Sequence, residues 1–170
     1  MTIIVGIDPG SRYTGYGIIK ESGQKIHCLD SGRIRVTGNT FPEKLALIYT
    51  QLKTILAGQL PDEMAIEDVF MGKNAASALK LGQARGAAIA AAASFEIPVH
   101  EYTAKQVKQA VVGNGNATKH QVQQMICHLL GLTKTPEEDA ADALAIAICH
   151  GHTRHTQAKL DRLSAAANSQ

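Results

Sequence analysis

Apolar residues form short strand-like runs in the first part of the chain and helical stripes further on. Ile3, Ile4, Val5 and Ile7 make an apolar run that stops at Asp8-Pro9-Gly10, a turn signal, and Thr14 to Lys20 follows with strand-like content. The two predict a β-hairpin. A third strand is expected within 24–36, where Ile26, Cys28, Ile34 and Val36 share one face of a period-two pattern. Pro42 then opens a helix to about Ala57, with Leu45, Ile48, Leu52, Ile55 and Leu56 as its apolar stripe. Met64 to Phe70 is a short apolar run holding two acids, residues 74–95 are rich in helix formers, and 98–102 reads as another short strand.

Three capping boxes follow, Thr103 with Gln106, Thr118 with Gln121, and Thr135 with Glu138, the last with Pro136 at the first helical position. They predict three helices. Gly113 to Asn116 is the loop that delivers Lys119 to the start of the second. Beyond His152 hydrophobicity falls and periodicity is lost, which predicts one domain over 1–152 and a flexible tail over 153–170. The order of elements predicts an α/β fold, a mixed sheet with helices packed on it.

Composition narrows the class. A chain of 170 residues with 45% hydrophobic and 19% charged residues is one globular domain with a proper core. Three cysteines, Cys28, Cys127 and Cys149, are odd in number and far apart, so a disulfide framework is excluded and a reducing cytoplasm is expected. No basic leader precedes the first apolar run, and the alanine-rich stretch Gly86 to Phe95 is too short for the roughly 20 residues that cross a bilayer. No membrane partner is expected.

Net charge is only +2, but its distribution is uneven. Residues 70–135 carry seven Lys/Arg (Lys73, Lys80, Arg85, Lys105, Lys108, Lys119, Lys134) against two acids, whereas acids outnumber bases on both flanks. A basic middle between acidic flanks suits a polyanion whose phosphates also meet an acidic site. A solvated lysine face is the competing explanation.

The acids supply that site. Ala140 to Cys149 is apolar all round except for Asp142, so Asp142 lies on a buried helix and needs a cation or several donors. Asp139 stands three residues earlier on the same face. A salt bridge to Lys or Arg would account for Asp142 alone, and helix-dipole stabilisation for Asp139. Asp8 closes one apolar strand and Glu67 interrupts another, positions where sites are built in sheet proteins. Glu67 shares its face with Ala65 and Val69, and Asp68 points the other way. Four clustered carboxylates repel by about 4 kcal/mol per close pair at 4 Å. Oxygen ligands select Mg²⁺ or Mn²⁺, and a pair of such ions about 4 Å apart hydrolyses phosphodiesters.

Val5-Gly-Ile-Asp8-Pro-Gly-Ser-Arg-Tyr-Thr-Gly-Tyr-Gly17, Ala65-Ile-Glu67-Asp-Val-Phe70, Ala78-Leu-Lys-Leu-Gly-Gln-Ala-Arg-Gly86 and Asp139-Ala-Ala-Asp142-Ala-Leu-Ala-Ile-Ala147 closely resemble the RuvC Holliday junction resolvase family of bacteria, in order and from about residue 2 to 152. The resemblance implies an RNase H-like fold with a five-stranded mixed sheet and helices on both faces. It implies a homodimer making Mg²⁺-dependent paired nicks at four-way junction DNA, with two ions per site and 5′-phosphate products. Asp8, Glu67, Asp139 and Asp142 would be the metal-binding catalytic acids, Phe70 a wedge at the junction centre, and Lys108 and Lys119 DNA ligands near the scissile phosphates. Lys73, Arg85 and Lys105 join them as DNA-binding candidates from the basic section, and the branch-migration motor RuvA–RuvB is an implied partner.

A strand ending Gly-Ile-Asp followed by Thr-Gly also resembles the phosphate loop of actin-like ATPases, but those need two lobes and a longer chain. His150, His152 and His155 straddle the expected helix end, so a solvated cluster is expected there in preference to a metal site. Gly86 to Ala93 offers a small-residue face for dimerisation, which core packing would explain equally well.

Overall fold

The computed structural model of the chain describes residues 1–23, 25–68 and 74–167. Ten elements follow in order: β1 (Thr2–Asp8), β2 (Tyr13–Ser22), β3 (Lys25–Arg35), α1 (Phe41–Gln59), β4 (Glu63–Glu67), α2 (Ala75–Ala93), β5 (Val99–Tyr102), α3 (Ala104–Val112), α4 (Lys119–Leu130) and α5 (Glu138–Ala167). The strands form one mixed sheet ordered β3-β2-β1-β4-β5, antiparallel through the hairpin and parallel across β1, β4 and β5. Both parallel crossovers run through a helix, as the pattern of elements requires.

Each face of the sheet buries its own core. Val5, Ile7, Ile18, Met64 and Ile66 pack under α1 and α2, while Ile4, Ile19 and Ala65 pack under α3, α4 and α5. Strand alternation thus splits neighbouring apolar residues between two layers, which is why β1 and β4 read as continuous apolar runs.

The helix termini show which local signals held. α1 begins at the N-cap Thr40, whose hydroxyl accepts from the Glu43 amide while the Glu43 carboxylate returns to the cap backbone. Thr103 and Thr118 form the expected boxes with Gln106 and Gln121. The third box does not form. α5 begins at Glu138, two residues after Pro136, because the Glu138 carboxylate is drawn to Lys119 and that of Glu137 to Arg33, 2.6 Å away.

Two further expectations are corrected. Ile26 and Cys28 do not share a face with Ile34 and Val36: Ile18 pairs with Asp30 but Ile19 with Cys28, so Leu29 is an extra residue and the bulge reverses the alternation. Nor does the secondary structure end near His152. α5 continues as one helix to Ala167, through Ala, Lys, Leu, Arg and Gln residues that favour helix. Arg154, beyond the expected boundary, still ties α5 to Glu21 and Glu63.

Glycines set how closely α5 lies on the sheet. A Cβ added to Gly15 would stand 2.0 Å from the Asp139 carbonyl oxygen, and one on Gly6 the same distance from that of Ala143. With alanines on the helix and glycines on the hairpin, the two backbones approach to contact, and the first turns of α5 come down over the end of β1.

Candidate active site

Asp8 is the last residue of β1, Glu67 the last of β4, and the two strands run parallel with Ile7 opposite Ile66. The carboxylates therefore emerge side by side at one edge of the sheet, the usual site position for parallel strands. Asp8 and Glu67 lie within each other's reach, so a proton on either one bonds to the other. Asp142 joins them from the second turn of α5, and together with Lys108 on α3 and Lys119 on α4 the three acids line a cleft of about 290 Å³. Val107, Val122 and Ile146 form its apolar floor.

This crowding shifts the acids. The Asp8 carboxyl is pushed up to about 8, first by burial and then by the negative charges of Glu67, Asp142 and Asp139. Burial also raises Glu67, against the bond from Asp8 and the attraction of Lys119 and Lys108. Asp142 is pushed up to about 6 by burial, with Lys119 opposing and Glu138, Glu67 and Asp139 adding to the rise. Burial and mutual repulsion of this kind are relieved by a proton or by a cation.

Lys119 is the nearest base to Asp142, with Nζ 3.9 Å from Oδ2. That is longer than a hydrogen bond, and the same ammonium is bound to Glu138. Asp142 thus keeps a charge neighbour without being neutralised by it. Asp139 lies to one side of the cleft, with Oδ2 3.6 Å from Nη1 of Arg33, which also stacks on the Tyr13 ring at 4.3 Å. Arg33 is a contact that the sequence offered no sign of, since a basic residue in a strand acquires it only through the sheet register and the descent of α5.

Of the basic candidates, Lys108 and Lys119 face the acids, and Lys105 lines an adjoining hollow with Pro9, Glu67 and Asp68. Arg85 is turned inward. Its Nε donates to the Glu67 carbonyl oxygen at 3.1 Å, and Nη2 pairs with Glu101 at 2.6 Å, so it braces the end of β4. Phe70 and Lys73 lie outside the described residues.

The donor set around the cleft is all carboxylate oxygen, which fits a hard divalent cation, but the oxygens are spread more widely than in a closed cage. Among the described residues, the group of three whose ligand atoms all lie within 4.8 Å of one another is elsewhere, at Glu63, His100 and His150.

The family model of the crossover junction endodeoxyribonuclease RuvC matches residues 4–150. The chain belongs to the RuvC family. It is 60% identical over 152 residues to the crossover junction endodeoxyribonuclease RuvC of Citrifermentans bemidjiense, covering 89% of this chain and 93% of the relative. With the same protein of Photobacterium profundum it shares 56% over 156 residues, covering 92% and 90%. The structure of Thermus thermophilus RuvC in complex with a Holliday junction substrate superposes with a TM-score of 0.87 at 31% identity, covering 92% of this chain and 97% of that one. The sheet and its two helical layers are those of the RNase H-like resolvase fold, and all four acids fall within the part matched to the RuvC family.

Proposed function

We propose that this RuvC-family protein is a structure-selective endonuclease that resolves four-way DNA junctions by paired symmetric nicks, in recombination and DNA repair. The observation that carries the reading is the meeting of Asp8, Glu67 and Asp142 with Lys108 and Lys119 in one cleft. The acids of such a site would hold cations, and its lysines would hold a DNA phosphate. A relative of the same fold is known in complex with a Holliday junction substrate.

Asp8, Glu67, Asp139 and Asp142 are the residues that would hold two Mg²⁺ ions, with Mn²⁺ as a substitute. When bound, such a pair supplies an activated water and stabilises the leaving oxygen, giving 5′-phosphate and 3′-hydroxyl ends. The chain's own part is to orient and to exchange protons. The raised Asp8 and Asp142 carboxyls would have to give up their protons to hold such ions, so cation affinity would rise with pH through neutrality. Lys119 exchanges its contact with Asp142 for a DNA phosphate, Lys108 and Lys105 extend the basic track, and Arg85 fixes the end of β4 on which Glu67 sits.

One compact chain carries one acid cluster, and two opposed cuts need two, so the reading includes a homodimer. Ala84, Ala88, Ala91 and Ala92 on α2 are consumed by the core, which leaves the outward side with Leu79, Gly82 and Gly86 as the candidate dimer face. The reading also places the protein in the cytoplasm, acting with the RuvA–RuvB motor. Incubation with synthetic four-way, three-way and linear DNA, in Mg²⁺ and then in EDTA, tests it. Symmetric nicks confined to the four-way substrate and to Mg²⁺ are expected. Equal cutting of linear DNA, or cutting that survives EDTA, would overturn it.

A further inference from the structure

Of the three histidines midway along α5, His155 is exposed and His152 half-buried, but His150 is not part of a solvated cluster. His150 is 2% exposed, and its ring lies between β4 and β5 and the body of α5. Its Nε2 is 2.5 Å from Oε2 of Glu63, and the same oxygen is 3.3 Å from Nε2 of His100 on β5. The two imidazoles stack with centroids 4.3 Å apart and planes at 27°, so their Nε2 atoms converge on one carboxylate oxygen.

What surrounds the three groups is also organised. The Tyr102 hydroxyl lies 2.7 Å from Nδ1 of His150 and can accept its proton, the arrangement that leaves Nε2 free as a ligand. Nε of Arg154 holds the other Glu63 oxygen at 2.9 Å while its Nη1 donates to the buried Glu21 at 3.2 Å, which fixes the carboxylate and balances charge. His100 is the most open of the three, with 43% of its side chain exposed, and gives access from solvent.

We propose that Glu63, His100 and His150 form a second metal site, distinct from the acid cleft, that takes a borderline transition-metal ion such as Zn²⁺. Two imidazoles and one carboxylate are a zinc donor set, whereas Mg²⁺ prefers oxygen alone. The separation of 3.3 Å between the Glu63 oxygen and the His100 nitrogen is the edge of a tetrahedron with bonds of about 2.0 Å. The His150 contact opens by a similar margin when the ion replaces the proton between Nε2 and Glu63. Three protein ligands leave a fourth position for water at the exposed His100 side.

The location gives the site a role. Glu63 and Glu67 are the two ends of β4, about 13 Å apart at the rise of an extended strand, so the ion would not share ligands with the cleft. It would clamp β4, the edge strand β5 and α5 together. β4 and α5 are the elements that carry Glu67 and Asp142, so the clamp holds their relative position from the far end.

The test uses the full-length protein, stripped of metal and dialysed against Zn²⁺ in excess Mg²⁺, which occupies the acid cleft. One retained zinc per chain is expected, with a rise in melting temperature. His100→Ala and Glu63→Gln should each weaken zinc binding by at least about 100-fold, and the zinc-dependent rise in melting temperature should vanish. His100 is half-exposed on an edge strand, so its variant should keep the fold, checked by circular dichroism, and Co²⁺ substitution should give the visible bands of a tetrahedral site in the unaltered protein only. Failure of the unaltered protein to retain zinc in Mg²⁺, or equal retention by both variants, would show that the cluster is a proton-bridged hydrogen-bond network and overturn the proposal.

Discussion

Asp8→Asn removes one charge from the cluster and keeps the shape of the side chain, so it isolates the electrostatic cost of the cleft. The Asp8 carboxyl moves from 3.8 to about 8 on folding. A carboxyl raised in this way leaves stability intact below pH 4 and erodes it as pH rises towards 8, because the unfolded chain releases the proton first. At roughly 1.4 kcal/mol per pH unit, the loss grows from about 1 to 2 kcal/mol at pH 5 to about 4 kcal/mol at pH 7. Urea unfolding in EDTA should therefore find Asp8→Asn more stable than the unaltered protein, by a margin that widens from pH 5 to pH 7. With saturating Mg²⁺ the margin should shrink, since the ion stabilises the protein with four acids and binds the variant more weakly. A margin that stays constant with pH, or a variant less stable at pH 7 in EDTA, would refute a proton-holding cluster at Asp8.

Asp142→Asn should behave in the same direction, with a smaller margin of about 3 kcal/mol at pH 7 from its rise to about 6, read by the same unfolding series. Lys119→Ala should reduce the slope of log binding constant against log salt by about 1 for junction DNA while leaving the bound shape unaltered; an unchanged slope places Lys119 off the DNA path. Gly15→Ala drives a methyl to 2.0 Å from the Asp139 carbonyl oxygen, so α5 must lift. A loss of 1–3 kcal/mol of stability and roughly 100-fold of nicking is expected, measured by melting and by a cleavage assay. Light scattering of the DNA-free protein at micromolar concentration should report a dimer, and Leu79→Glu on the exposed side of α2 should return it to monomer.

The architecture was legible because its local signals and its apolar periods agreed: the hairpin, the helix stripes and two of three capping boxes are all present. The meeting of Asp8, Glu67 and Asp142 was legible for a different reason. A charge in an apolar helix or at the end of an apolar strand is anomalous, and such anomalies mark sites. What the sequence could not carry were contacts that depend on register and approach. The bulge at Leu29 reverses a strand's faces without any change in its residues. Arg33 meets Asp139, and Lys119 draws Glu138 out of its capping box, only after α5 has settled on Gly6 and Gly15. Nor does the polar sequence after His152 show that α5 continues past His150, which puts the ring inside the core next to Glu63.

In the proposed function, the cluster of Asp8, Glu67, Asp139 and Asp142 cuts the DNA and the lysines around it hold the DNA. The most direct measurement is of one labelled four-way junction with the unaltered protein and with Glu67→Gln, recording binding in EDTA and nicking in Mg²⁺ on the same samples. Junction affinity should stay within a few-fold while nicking falls by orders of magnitude. A Glu67→Gln protein that binds and nicks like the unaltered one would contradict the account.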